Sequence, residues 1–131
     1  MHNPTEETLP WEEQRGMEDI LYRAQIGYLF DHSPFYRRKL TEAGFSGSMA
    51  VGGLDSLRFT EKDELRASRT PENPIGAHLA VPMSDVVRIY STSGTTGTPS
   101  YIPLTQSDLR NWIEISSRSY AASGVVKGQR I

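Results

Sequence analysis

Only one part of this 131-residue chain reads as β structure, and that limits what the whole can fold into. The segment "VVRIY", Val86–Tyr90, is rich in β-branched and aromatic side chains, a composition suited to a pleated, half-buried surface. "YIPL", from Tyr101, is a second candidate strand. Pro103 confines it to an edge or a strand end, because proline has no N–H for the ladder. The last residues, "VVKGQRI", read as a turn feeding a further strand. One or two short strands do not make an independently stable sheet. The expectation is therefore that these residues are the front portion of something larger, with more of the sheet elsewhere.

The remainder reads as helix and turn. Residues 1–10 are polar and expected to fray. From Trp11 the apolar residues Met17, Ile20, Leu21, Ala24, Tyr28 and Leu29 recur at three- and four-residue spacing, forming one stripe of a helix. "HSP" ends it. Ser33 then reads as an N-cap with Pro34 at the first helical position. This second helix runs through "FYRRKLTEA", and Gly44 suits its C-terminal cap. "SGSMAVGGL" is a glycine-rich loop. Thr60 and Asp63 resemble a capping box for a short helix from Glu61 to Ala67. "SRTPENPIG" is a proline-broken connection. Thr105 and Asp108 form a second capping-box pattern that opens a long helix. Leu109, Trp112, Ile113, Ser116 and Tyr120 mark its expected buried stripe, with Trp112 and Tyr120 in the core, and Gly124 ends it. The chain thus divides into a mainly helical segment, 1–84, and a strand–loop–strand–helix segment, 85–131.

Composition excludes several classes of function. The formal net charge of −2 gives no basic face for general nucleic-acid binding. Without cysteine there are no disulfides and no thiolate metal sites, which suits a reducing compartment. His2, His32 and His78 show no metal-ligand spacing. The apolar runs are too short for a membrane span or a secretory core, so the default location is cytoplasmic. Arg37, Arg38 and Lys39 read as a solvated helix face. Arg88 is a candidate partner of Asp85 or of a missing segment, and His78 reads as a loop or packing residue.

The least ordinary stretch is "YSTSGTTGTPSYIPLT", Tyr90 to Thr105. Between Ser91 and Ser100 lie seven hydroxyl side chains, two glycines and one proline, and no charge occurs from Ile89 to Ser107. Such a tract is either a flexible linker or a cradle for oxygen-rich anions. It lacks the P-loop and dinucleotide patterns. In favour of a cradle, Gly94 and Gly97 permit close backbone approach, so successive N–H groups can converge on an anion. The hydroxyls add donors worth about 1.5–3 kcal/mol each toward a charged oxygen. Composition and strand context leave the two readings level.

The order Ser93-Gly94-Thr95-Thr96-Gly97-Thr98-Pro99 resembles the phosphate-binding signature of the adenylate-forming enzymes, the superfamily of acyl-CoA synthetases, adenylation domains and luciferases. Most branches follow it with lysine. Here Ser100 stands in that place, which is similar to the phenylacetate–CoA ligase branch. "SPFYRRKLTEAGF", "FTEKDELRAS", "PIGAHLAVPMSDVVRIYSTSGTTG" and "LTQSDLRNWIEISSRSYAASGVVKGQRI" are similar to the same branch, in order, from about Trp11 to Ile131.

The resemblance implies the N-terminal part of a large α/β domain, with residues 85–131 opening the AMP-binding portion. It implies an acid–thiol ligase that joins a carboxylate, usually aromatic, to ATP and then passes the acyl group to coenzyme A. Ser93, Gly94, Thr95, Thr96 and Gly97 would contact the ATP phosphates, with Thr92 and Thr98 secondary and Mg²⁺ assisting. No residue here would be a catalytic nucleophile or a metal ligand. Lys127 does not match the family's catalytic lysine, and the downstream motifs are missing. The chain alone is expected to be inactive, and to self-associate or meet a complementary chain. A coenzyme F390 synthetase-like protein and a non-catalytic nucleotide-binding or interaction module are the alternatives.

Overall fold

In the computed structural model, residues 2–46, 54–92 and 99–130 are described. The glycine-rich loop expected after the second helix falls largely outside them. The amino terminus is not frayed. It forms a single-turn helix, α1 (Pro4–Glu7), with proline in the first turn. The Asn3 side chain accepts from the Glu6 N–H at 3.4 Å.

Helix α2 (Trp11–His32) and helix α3 (Pro34–Glu42) meet at Ser33. Ser33 is fully buried. Its Oγ accepts from the Tyr36 N–H as the N-cap of α3 and donates toward the carbonyls of Ala77 (3.2 Å) and His78 (3.3 Å). Arg37 is exposed, as read from the sequence, but it is not without partners. It donates to the Phe30 and Asp31 carbonyls at 2.7 and 2.6 Å and so satisfies the open end of α2. Lys39 departs from the solvated reading, with its side chain only 13% exposed. It pairs with Glu64 at 2.9 Å and donates to the Phe59 carbonyl.

The end of α3 is a Schellman motif. Gly44 sits at φ 88, its N–H bonds Thr41 O, and the Phe45 N–H bonds Leu40 O. That motif folds Phe45 onto Leu40, and with Ile26 the two make one core cluster, flanked by Tyr22, Leu29 and Phe30, while Phe35, Ile75 and Leu104 are buried as well. The apolar stripe read from the sequence is only partly used. Met17, Ile20 and Leu21 are exposed. At nine residues, α3 spans about 13 Å against about 33 Å for the 22 residues of α2, so it covers only the C-terminal part.

Helix α4 (Lys62–Ala67) starts one residue later than its sequence signal. Glu61 is the N-cap, and its N–H donates to Glu64 rather than Thr60 pairing with Asp63. The Glu64 carboxylate, already drawn in by Lys39, takes the role. The Glu61 N–H first and Lys39 second hold its pKa below the usual carboxylate value.

A short 3₁₀ turn at Met83–Asp85 leads into strand β1 (Val86–Ser91), which pairs antiparallel with β2 (Tyr101–Thr105). Ile89 faces Pro103 and Ser91 faces Tyr101 in the register. Arg88 turns to Tyr90, donating to its hydroxyl at 3.2 Å, and Asp85 instead accepts from Ser84. Helix α5 (Gln106–Ala122) opens with the expected capping box between Thr105 and Asp108. Gly124 closes it at φ 83.

The stripe of α5 is not core. None of its described residues is buried, and Trp112, Ile113 and Tyr120 are exposed. The Trp112 ring touches Tyr90 at 5.0 Å, and Leu109 and Ser116 of the same stripe are half-buried. No strand forms among the described residues after α5, where Gly128 makes a turn instead.

Candidate functional site

The end of the β1–β2 ribbon is where the hydroxyl-rich loop leaves and returns. Of the residues expected to contact phosphate, Ser93, Gly94, Thr95, Thr96, Gly97 and Thr98 lie outside the described residues. Thr92 is described, and so are Pro99 and Ser100 at the exit. Thr92 donates its N–H to the Ser100 carbonyl at 3.0 Å, and the Ser100 N–H donates back to the Thr92 Oγ1 at 3.0 Å. The two bonds make a neck, fixing the entry and exit of the loop side by side. Thr92 therefore has a job in the backbone, with its hydroxyl serving as an acceptor.

Ser100, at the position where lysine is common, is 5% exposed. Its Oγ has no hydrogen-bond partner among the described residues. An ammonium in such a place would be costly to desolvate, so a small hydroxyl suits the burial.

Two residues of the exit are gripped from the helical side. Arg69 Nη1 donates to the Pro99 carbonyl at 3.0 Å, and its guanidinium lies 5.3 Å over the Tyr101 ring. His78 Nε2 donates to the Tyr101 carbonyl at 3.3 Å. A carbonyl only accepts, so the proton is on Nε2 and Nδ1 is the bare nitrogen. Nδ1 is buried with no hydrogen-bond partner among the described residues. Burial pushes the His78 pKa below 6.5, and the Tyr101 carbonyl opposes that in part. The sequence reading of His78 as a packing residue is thus right in kind, but it missed the carbonyl it holds.

These gripping residues have their own support. The Ala77 N–H bonds both the carbonyl and the hydroxyl of Ser68, and Ala77 O accepts from the Phe35 N–H and Ser33 Oγ. Gly76 sits at φ 116, and a Cβ there would fall 2.6 Å from Ser68 Oγ and 2.8 Å from His78 Nδ1. A string of bonds thus runs from the α2–α3 corner through 76–78 to the loop exit. Behind β2 it borders a groove of about 600 Å3, lined by Tyr28, Leu29, Leu79, Val81, Ile102 and Pro103 among others. Arg69 was not found by sequence reasoning. Its partners are 30 and 32 positions away, and nothing local marks it.

Among the described residues no cluster of histidine and carboxylate side chains would hold a metal ion, and no helix is long and apolar enough to cross a membrane. The arrangement can present one short loop, tightly pinned at both ends, on top of a rigid support.

That architecture is the N-terminal part of the adenylate-forming CoA-ligase fold. A solved 2-hydroxyisobutyryl-CoA ligase in the postadenylation state, in complex with 2-HIB-AMP, aligns with a TM-score of 0.76 at 30% identity, over 95% of this chain and 26% of its own. The same enzyme with 2-HIB-AMP and CoA, in the thioesterification state, aligns at 0.70 and 34% identity, over 88% and 25%. Within that class the sequence is similar to phenylacetate–coenzyme A ligases. The Thermus thermophilus enzyme is 36% identical over 133 residues, all of this chain and 29% of the relative. That of Escherichia coli is 33% identical over 120 residues, 90% of this chain and 26% of the relative. No family model matches the chain. The chain thus spans less than a third of the relatives' length.

Proposed function

We propose that this chain supplies the nucleotide-phosphate loop, and the platform beneath its exit, of an ATP-dependent acid–CoA ligase. In the complete enzyme a carboxylate attacks the α-phosphate of Mg·ATP, releasing pyrophosphate and forming an acyl-adenylate. The thiol of coenzyme A then displaces AMP to give the thioester. In this reading Ser93, Gly94, Thr95, Thr96 and Gly97 hold the departing phosphates through backbone N–H and hydroxyl donors, with Thr98 and Thr92 at the margins. Their work is positioning and charge stabilisation. Residues 1–84 form the platform and 85–131 open the nucleotide-binding unit, in a cytoplasmic enzyme. Mg²⁺ arrives with the nucleotide.

The observation that carries this reading is the neck. A linker has no need of two reciprocal bonds joining Thr92 to Ser100, nor of a strand on each side. Titration of the chain with Mg·ATP tests it. Binding that weakens at least tenfold in Gly94→Val and Thr95→Val supports the cradle, as expected for loss of one or two charge-assisted bonds. Binding that is insensitive to both removes it.

The acid is a phenylacetate-type aromatic carboxylate in this reading. The 2-hydroxyisobutyryl-CoA ligase likeness favours a small hydroxy acid as the second choice. Mixing the chain with one carrying the rest of the ligase fold, then assaying thioester formation with each acid, separates the two. Association with such a chain is the expected state, with self-association in its absence.

A further inference from the structure

The loop has no charge of its own between Ile89 and Ser107. A charged group that fixes this part of the backbone has to come from another segment. Arg69 is such a group. It directly follows the cap of α4, and a turn holds it: Thr70 and Asn73 exchange backbone bonds at 3.1 Å, and Ser68 is locked to Ala77. From there it reaches 30 positions forward to Pro99.

We propose that Arg69 is the positioning residue of the loop exit. Its guanidinium, bonded to the Pro99 carbonyl and lying over the Tyr101 ring, sets the register in which Ser100 is buried and the Thr92–Ser100 neck closes. This rests on the phosphate-loop reading only for its consequence, nucleotide affinity, and not for the geometry. Three features make Arg69 the determinant. The bond to Pro99 is charge-assisted, hence about twice as strong as a neutral one. Pro99 has no N–H, so its carbonyl is the only backbone group through which that residue can be tied. The plane of the guanidinium uses the Tyr101 face as well as the carbonyl, a combination lysine does not reproduce. Pro99, Ser100 and Tyr101 are then held by three different partners: Arg69, Thr92 and His78.

The test uses the 131-residue chain with Arg69→Met and Arg69→Lys. Amide hydrogen exchange is read at Thr92 and Ser100 for the neck, and at Ile26 and Leu40 for the core. The expected result in Arg69→Met is exchange at Thr92 and Ser100 faster by roughly tenfold, from loss of a charge-assisted bond, with core amides unchanged within about twofold. Arg69→Lys is expected to recover less than half of that loss on a logarithmic scale. Unchanged neck exchange in Arg69→Met overturns the proposal. So does equal acceleration of the core, which would mark a general stabiliser, and so does full rescue by lysine.

Mg·ATP affinity is measured in parallel, and a fall of about tenfold that lysine does not restore supports the same assignment. A wild-type chain that binds no nucleotide while its neck amides respond to Arg69→Met would remove the phosphate reading and leave the positioning role standing.

Discussion

Helices α3 and α5 end in the same motif and in opposite surroundings. Each has a glycine at positive φ, Gly44 at 88° and Gly124 at 83°. In each, the next residue bonds back to the third-last helical carbonyl: Phe45 to Leu40, and Val125 to Tyr120. Around α3 the motif closes a core, with Leu40 and Phe45 both 3% exposed. Around α5 it closes nothing, and Tyr120 is 53% exposed. Local geometry is therefore independent of burial in this chain. The α2–α3 corner contains its own apolar partner. The β1–β2–α5 region buries Leu104 but leaves Trp112, Ile113 and Tyr120 exposed among the described residues, which fits a chain spanning 29% or less of its curated relatives.

The contrast is open to direct attack. Leu40→Ala is expected to cost about 2–5 kcal/mol, the range for emptying a packed leucine site. Ile113→Ala, on the open face at 65% exposure, is expected to cost under about 0.5 kcal/mol. Urea unfolding of both variants checks this, and similar costs would show that α5 is packed in solution after all.

Gly76→Ala comes next. Positive φ and the close approach of Ser68 and His78 predict a loss of more than about 1 kcal/mol, read as a lower thermal midpoint. Because Gly76 sits on the string of bonds to the loop, neck amides should lose protection together with the midpoint.

The two caps give a finer comparison. Gly44→Ala and Gly124→Ala face no steric contact within 4 Å, so each should pay only the positive-φ cost of about 1 kcal/mol. Any excess at Gly44 measures how far Phe45 depends on the motif. An excess at Gly124 would contradict the picture of an exposed C-terminal end of α5.

The smallest effect is in pH. Burial lowers the His78 pKa from 6.5, so folding favours the neutral ring. Its contribution is complete above pH 6.5 and is lost as pH falls through the lower folded value. The bond to Tyr101 survives protonation, because Nε2 keeps its hydrogen, and the penalty falls on the buried Nδ1. His78→Gln should flatten the dependence of the thermal midpoint between about pH 7.5 and 5. An unchanged slope would assign that dependence elsewhere.

Much of the architecture was legible because its signals are local. Ser33-Pro34, Gly44, Thr105 with Asp108, and the β-branched run from Val86 each act within a few residues. Burial was not legible, because spacing says which residues share a face and not whether anything covers it. Trp112 and Tyr120 share the expected face and lie open. The α4 cap shifted because Lys39, 25 residues before Glu64, favours that carboxylate over Asp63. The loop signature was readable as order, Ser-Gly-Thr-Thr-Gly-Thr-Pro. Its grip by Arg69 and His78 was not, because long-range pairing leaves no mark in a local window.

The string of bonds also sets an order of events when the chain folds. The core corner needs only neighbouring helices to meet. Ser33 must reach 44 and 45 positions ahead, Arg69 30, and His78 23. Closing such spans costs chain entropy before any contact rewards it. The Thr92–Ser100 neck spans only eight positions and closes cheaply, so the late step is its fastening to the helical side through Arg69 and His78. Until then the loop's entry and exit are joined to each other and not yet to the helical segment.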